Sequence, residues 1–428
     1  VYGQNPNAGT TSMIGATILA EHIKYRYPEI HISFVGSHVS ALPREVLKFN
    51  YVDSVLINEG VYALHSLLSS DLKTELCNIK GIGWKSNGST IINPPECIVP
   101  QQSMDEDLPG YAWDLLPFVE KPLDLYRSHV WHANFDESLR SPYAAIYTSL
   151  GCVFGCDFCM INIVNRQDYS DGISAAESRI MRFWSVDWVV RQFKILGDLG
   201  VSTIRISDEM FLLNHNYYLP ITESLAKLPF KFHIWVYSRV DTIREKYLKM
   251  LRQSGICWIA LGIEAGNQFV RQESSKGSFN DINVRDICKL LRSHSISIIA
   301  NYIVGLPEDD YESMTATLNL ALELNTEMMN VYPCQALPGS TLYSRALTQG
   351  IELPSKYEEF AFLSYESKPL ATKHLSSRQV IEFRDYFWQT YFSNPAFLNL
   401  VYKKFGQAQY DNVKTMSAIK LKRKLLDD

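Results

Sequence analysis

The chain has 428 residues, 46% apolar and 20% charged, which is enough apolar material for a large core and excludes a disordered chain. A net charge of −5 is too mild to imply a nucleic-acid partner. No apolar run reaches the ~18 residues of a membrane helix, and no secretory signal peptide is visible, so the expected location is the cytoplasm.

At roughly 100–200 residues per domain, the length divides into two or three domains. The chain starts at Val1 rather than Met, and an N-terminal truncation is expected. Residues 1–99 show an α/β rhythm. Ile14 to Arg26 has helical spacing, Ile30 to Val35 reads as a strand, and Ala41 to Phe49 reads as a helix with Pro43 in its first turn. Ser54 to Ile57 reads as a second strand and Tyr62 to Leu68 as a helix. Such alternation implies a doubly wound sheet that binds ligands beyond the carboxyl ends of its strands. Ile79 to Pro95 reads as a hairpin turning at Ser86-Asn87-Gly88.

Residues 100–142 are irregular and carry Pro100, Pro109, Pro117, Pro122 and Pro142, as a linker wrapping between domains would. From 143 to 350 the rhythm resumes about six times. The strand readings are Ala144–Ser149, Thr203–Ser207, Phe232–Tyr237, Trp258–Gly262, Ile298–Val304 and Met328–Tyr332. Helical stretches lie between them, among them Val186–Leu199, Thr242–Gln253, Asn283–Ser293 and Tyr311–Leu324. Six such units predict an open (β/α) barrel with its chemistry at the carboxyl ends of the strands. Residues 351–428 read as a helical, aromatic-rich region. The basic tail Lys420-Leu421-Lys422-Arg423-Lys424 reads as a solvated helix end.

Five of the eight cysteines are scattered, as small buried hydrophobes usually are. Cys152, Cys156 and Cys159 instead form a C-x3-C-x2-C loop just after the first barrel strand. Three thiolates on one tight loop can hold three irons of a cubane cluster and leave the fourth iron free. Gly151 and Gly155 let the backbone fold around a compact core. A zinc site takes four Cys or His ligands, and the nearest histidines, His132 and His215, complete no local module. A two-cysteine redox motif does not use the third thiol.

This loop, with Phe158 before its last cysteine and a six-fold (β/α) context, resembles the radical S-adenosylmethionine (SAM) superfamily. The likeness extends both ways, over roughly residues 10 to 350. Gly36-Ser37-His38 with Ala41-Leu42-Pro43, and Asn58-Glu59-Gly60, are similar to loops of cobalamin-binding domains fused to such barrels. Leu108-Pro109 through Trp113-Asp114-Leu115-Leu116-Pro117 resembles their interdomain segment. Ser238-Arg239-Val240-Asp241, Leu261 through Gly266, Gly305-Leu306-Pro307 and Leu337-Pro338-Gly339-Ser340 resemble stretches that recur in their barrels. The subfamily includes C-methyltransferases and the anaerobic magnesium-protoporphyrin cyclase.

The fold the resemblance implies is α/β: a partial (β/α)6 TIM-like barrel, preceded by an incomplete Rossmann-like cobalamin-binding domain and followed by a helical C-terminal region. Cys152, Cys156 and Cys159 would ligate a [4Fe–4S] cluster, and the free iron would chelate SAM. One-electron reduction would then yield methionine and a 5′-deoxyadenosyl radical. Phe158 would pack on the SAM adenine, Arg239 would pair with the SAM carboxylate, and Glu264 would accept from its amino group or ribose. Glu209 stands where the superfamily has a Gly-Gly-Glu motif, here reduced to Ser207-Asp208-Glu209, and Gly305 and Leu306 would line the adenine pocket through backbone groups. Ser12, Gly36, Ser37, His38, Glu59 and Gly60 would contact cobalamin, with no Asp-x-His-x-x-Gly loop to supply an axial histidine. A small-molecule or biosynthetic-intermediate substrate and a one-electron reductant such as flavodoxin or ferredoxin are the implied partners. Three outcomes stay open: C-methylation of an unactivated carbon, cyclisation or rearrangement, and a non-catalytic cobalamin or iron–sulfur sensor. Methylthiolation would call for three further N-terminal cysteines, a set that Cys77 and Cys97 do not make.

Overall fold

A computed structural model of the chain describes residues 9–70, 75–116, 142–166, 175–274 and 284–427. Pro117 and Pro122 of the linker reading, and Asn283 at the start of one helix reading, lie outside the described residues.

The first layer is a four-stranded sheet in the order β1-β2-β3-β4, formed by β1 (Ser33–Val35), β2 (Ser54–Leu56), β3 (Ile82–Ser86) and β4 (Ser89–Ile92). β1 and β2 run parallel, and the hairpin β3–β4 adds antiparallel to β2. The Rossmann-like reading therefore holds for one parallel pair with its crossover. β1 is shorter than the run Ile30 to Val35, because the Asp53 carboxylate takes the Ile32 amide at 2.7 Å in place of a ladder partner. The helix read over Ala41 to Phe49 is instead two short ones, Ser37–Ala41 and Pro43–Val46. Pro43 disfavours helical backbone at the residue before it, and Leu42 stands at φ −132°.

The second layer is a half-barrel. The remaining strands are β5 (Tyr143–Ile146), β6 (Ser149–Gly151), β7 (Met181–Phe183), β8 (Thr203–Ile206), β9 (His233–Arg239), β10 (Ile256–Glu264), β11 (Ser297–Val304) and β12 (Met328–Pro333). Six of them pair in parallel in the order β12-β11-β10-β9-β8-β5, as the six-fold rhythm predicted. β6 and β7 form a separate antiparallel pair that carries the chain into the cysteine loop. Convex-face residues such as Ile204, Val236, Leu261 and Ala300 join the main core with the crossover helices. The concave face is more open: along β5 and β12 half-buried residues alternate with buried ones, so Tyr143, Ala145, Asn330 and Tyr332 look into the barrel.

The segment after β4 is bound to the barrel along its described length. Trp113 Nε1 donates to Gln192 Oε1 at 3.0 Å, and Trp184 and Trp188 donate to the carbonyls of Leu108 and Pro109. The C-terminal region is helical over Ser377–Phe392, Pro395–Phe405 and Gln407–Ser417. Its first helix lies on β12, where Arg384 Nε donates to the Val331 carbonyl at 3.0 Å. The basic tail departs from its reading. It is not helical, and Arg423 is 1% exposed, its Nε and Nη2 on the Asp385 carboxylate at 2.8 and 2.9 Å. No helix among the described residues is long and apolar enough to cross a membrane.

Candidate cluster and SAM site

The site begins at β6. Gly151 adopts φ 86° there, and a Cβ on it would stand 2.1 Å from the Ile180 carbonyl oxygen, so only glycine lets the hairpin close. Asp208, at the carboxyl end of β8, clamps this segment. Its carboxylate accepts from Thr148 N, Thr148 Oγ1 and Ser149 Oγ, each at 2.6 Å. Burial pushes the Asp208 carboxyl up even though these donors favour its charged form.

Asn162 holds the cysteine loop as two hands would. Its Oδ1 accepts from Cys152 N and its Nδ2 donates to Cys152 O, both at 2.9 Å. Asn165 Nδ2 supports Asn162 Oδ1 at 3.2 Å, and Arg182 Nη2 in turn supports Asn165 Oδ1 at 3.2 Å. On the other side Asp157 accepts from Arg345 Nη2 at 2.7 Å. Cys152 and Cys156 are buried and Cys159 is half-buried, and none of the three is in a disulfide. Desolvation and the neighbouring Cys156, Glu209 and Cys152 charges push the Cys159 thiol well above its usual range, against a hydrogen bond from the Ile161 backbone. A thiol raised in this way needs positive charge nearby to become a thiolate, which iron supplies. Among the described residues no three His, Cys, Asp or Glu side chains converge as ligands of a single ion would. Three thiolates on one loop can each take one iron of a cubane and leave the fourth open, so Cys152, Cys156 and Cys159 fit a [4Fe–4S] cluster.

The residues read as SAM contacts fall around the same barrel mouth. Glu209 is half-buried, and its charge reaches Cys159, Tyr147 and Tyr237. Glu264 ends β10 at φ 65°, where the ladder to β11 shifts register. A left-handed glutamate there is a strained position of the kind that gathers at binding sites. Arg239 is buried, with Nε and Nη2 on the Asp241 carboxylate at 2.9 Å each and its guanidinium 4.0 Å from the centroid of the Phe154 ring in the cysteine loop. Phe158 packs with Ala265, Val270 and Leu306 in a small core. The N–H groups of Gly305 and Leu306 are already spent on Asp309 Oδ2, at 2.9 and 3.0 Å, so any lining by these two residues is through other atoms.

The residues read as cobalamin contacts divide. Gly36 and Ser37 follow β1, and a Cβ on Gly36 would meet nothing within 4 Å. Ser12 is exposed on the helix Gly9–Arg26. His38 is 2% exposed, with Nδ1 3.1 Å from Thr10 Oγ1, Nε2 3.5 Å from Glu45 Oε1 and its ring edge-on to Tyr357. Gly60 starts a helix at φ 72° beside Val35. Glu59 faces the barrel and pairs with Arg182 Nη2 at 2.7 Å. Open space is therefore found at Gly36, whereas a Cβ on Gly9 would stand 2.0 Å from Ser37 Oγ, and the His38 ring is buried with no hydrogen-bond partner at Nε2 among the described residues.

Asn162, Asn165 and Arg182 were not singled out from the sequence, and Asp208 and Asp241 stood in quoted motifs without a role. The one signal for the asparagines is two amides interrupting the apolar run Met160-Ile-Asn162-Ile-Val-Asn165.

An open six-stranded half-barrel with three cysteines at its mouth is the arrangement that the radical SAM resemblance implies. Residues 146–321 match the Radical SAM superfamily, and the chain carries a radical SAM domain, whose cofactors are a [4Fe–4S] cluster and SAM. It is 24% identical over 376 residues to an uncharacterized methyltransferase of Pyrococcus horikoshii, spanning 87% of this chain and 74% of that protein. It is also 24% identical over 400 residues to the anaerobic magnesium-protoporphyrin IX monomethyl ester cyclase of Rubrivivax gelatinosus, spanning 88% of this chain and 63% of the cyclase. In fold it is similar to the cobalamin-dependent SAM radical enzyme OxsB with aqua-cobalamin and SAM bound. That match has a TM-score of 0.63 and 15% identity, covering 96% of this chain and 62% of OxsB. It is likewise similar to the methyltransferase TsrM of Kitasatospora setae with tryptophan and a SAM analogue bound. There the TM-score is 0.61 and the identity 12%, covering 95% of this chain and 82% of TsrM.

Proposed function

We propose that the chain is a cobalamin-dependent radical SAM enzyme that methylates an unactivated carbon of a small molecule. The observation that carries the reading is the loop of three free cysteines held at the mouth of the half-barrel, with Glu209 beside Cys159. When bound, the cluster and SAM supply the 5′-deoxyadenosyl radical and cobalamin carries the methyl group.

The chain's own residues have separable tasks in this reading. Cys152, Cys156 and Cys159 hold the cluster, and Asn162 and Asp208 fix the loop that presents them. Glu264 and Glu209 orient SAM by accepting from its amino group and ribose. Phe154 and Arg239 close one wall beside the loop and exclude water from the reacting sulfonium. Gly36 and Ser37 seat cobalamin without a histidine ligand, because the His38 ring is buried among Thr10, Glu45 and Tyr357. The likeness to OxsB and TsrM supports the cobalamin part of the reading.

The test is anaerobic reconstitution with iron and sulfide, then SAM and dithionite, with 5′-deoxyadenosine measured against Cys156→Ala. Wild type forms it and the variant does not. Failure of wild type holding about four irons per chain would sink the radical reading. A labelled SAM methyl group that reaches product only when cobalamin is present supports methyl transfer. The similarity to the Rubrivivax cyclase favours a second reading, cyclisation or rearrangement, in which the label stays out of the product.

A further inference from the structure

Among the described residues, one buried cation on the concave face has no carboxylate partner. Arg205, on β8, is 7% exposed. Its Nη2 donates to the Tyr237 hydroxyl at 2.7 Å, and it also bonds Tyr143. The guanidinium carbon lies 4.9 Å from the Trp235 ring centroid and 5.0 Å from that of Tyr237. Nε is buried and has no hydrogen-bond partner among the described residues. Of the five other buried arginines among the described residues, four hold a carboxylate. Arg182 holds Glu59, Arg239 holds Asp241, and Arg384 and Arg423 both hold Asp385. Neutral hydroxyls and ring faces offset only part of the cost of taking a guanidinium out of water.

The position of Arg205 gives that imbalance a use. It sits in register between Ala145 of β5 and Trp235 of β9, on the side of the sheet where Tyr143, Tyr237, Asn330 and Tyr332 are half-exposed. Burial keeps the hydroxyls of Tyr237 and Tyr332 protonated, with Tyr332 pushed up to about 12, so both remain neutral donors. A planar fork with an unused N–H, flanked by phenol donors and aromatic walls, matches an oxyanion attached to an apolar body.

We propose that Arg205 anchors an oxyanion of the substrate, a carboxylate or a phosphate, with the substrate's apolar body lying on Trp235, Tyr237 and Tyr332. The proposal rests on the barrel interior being the substrate cavity of the radical SAM reading. It narrows the substrate to an organic anion and predicts that neutral isosteres are rejected.

The experiment uses the reconstituted full chain with saturating SAM, so that the carboxylate of SAM is not the probe. Phenylacetate, phenyl phosphate and the neutral phenylacetamide are titrated by calorimetry and ligand-observed NMR. A charge-assisted bond to Arg205 makes the better anion bind roughly tenfold or more tighter than the amide, and the order of the two anions tells carboxylate from phosphate. Arg205→Met abolishes the preference, and Arg205→Lys keeps part of it. Equal binding of acid and amide by wild type, including no binding of either, overturns the proposal without any variant having to fold. So does an undiminished preference in Arg205→Met. 5′-Deoxyadenosine measured on the same wild-type preparation separates the two failures. Its absence sinks the radical reading, whereas its presence with no anion preference sinks only the anchor.

Discussion

Arg182 of β7 and Glu59 in the loop after β2 form a 2.7 Å ion pair that joins the first layer to the barrel. Arg182 is 2% exposed, and the same Nη2 reaches Asn165 Oδ1 at 3.2 Å. Asn165 supports Asn162, and Asn162 grips the backbone of Cys152. A continuous hydrogen-bonded chain thus runs from the loop after β2 to the first candidate iron ligand.

Breaking this pair leaves a buried charge unanswered, at a cost of about 3 kcal/mol. Glu59→Gln and Arg182→Met are each expected to lower the urea midpoint accordingly. Because the chain ends on Cys152, both also reduce bound iron after reconstitution. Iron-to-protein ratios for the variants, against a surface control such as Lys194→Ala, check this. Full iron loading in a destabilised Glu59→Gln protein would show that the ion pair holds the layers together without positioning the loop.

Gly151→Ala tests the other side of the loop. Its Cβ would sit 2.1 Å from the Ile180 carbonyl oxygen and 2.6 Å from Asn165 Nδ2, at a backbone angle that favours glycine. The β6–β7 pairing has to open to admit it. The expected outcome is a loss of about 2 kcal/mol or more in stability and a largely iron-free chain, read by iron analysis and the visible absorbance of the reconstituted protein.

The barrel was legible because each of its strands is an apolar run that ends in polar or glycine residues, as Val236 and Leu261 lead to Arg239 and Glu264. The cysteine loop was legible because all its ligands fall in one short segment. What holds that loop was not. Glu59 and Arg182 lie 123 positions apart, and nothing local marks either as the other's partner. Arg205 read as an ordinary strand residue, since its aromatic surround comes from other strands. His38 read as a cobalamin contact from its loop alone, and the sequence did not show that Tyr357, from the far end of the chain, packs against its ring.

Asp309 and His233 should give stability opposite dependences on pH. Burial raises Asp309 to about 6 despite donors from Ser313, Leu306 and Gly305. The folded chain therefore keeps a proton that the unfolded chain releases between about pH 4 and 6, and this contribution is full below pH ~4 and lost as pH rises to ~6. Burial lowers His233 to about 4, so its contribution is full above pH ~6.5 and lost as pH falls toward ~4. Each spans about 3 kcal/mol at most. Relative to wild type, Asp309→Asn should gain stability as pH rises from 4.5 to 6.5, and His233→Phe should lose it. Urea midpoints at the two pH values measure both differences, and parallel curves for all three proteins would refute the assignment.

Glu264 carries the sharpest conflict between stability and use. Its φ of 65° is strained for any residue with a Cβ, yet the strand puts a carboxylate there, 7% exposed, at the barrel mouth. Three substitutions separate the backbone from the side chain. Glu264→Ala keeps the strain and loses the carboxylate. Glu264→Gly loses both, so it should be more stable than the alanine variant by about 1 kcal/mol. Glu264→Gln keeps the shape and removes the charge that helps push Tyr332 up. If the carboxylate accepts from SAM, all three lose roughly tenfold or more in 5′-deoxyadenosine formation, and the loss does not follow their order of stability. Equilibrium binding of SAM to the reconstituted variants shows where the loss arises, with weaker binding expected in each. Activity that tracks stability, with the glycine variant closest to wild type, would instead make Glu264 a residue that shapes the end of β10 and leave SAM to other groups.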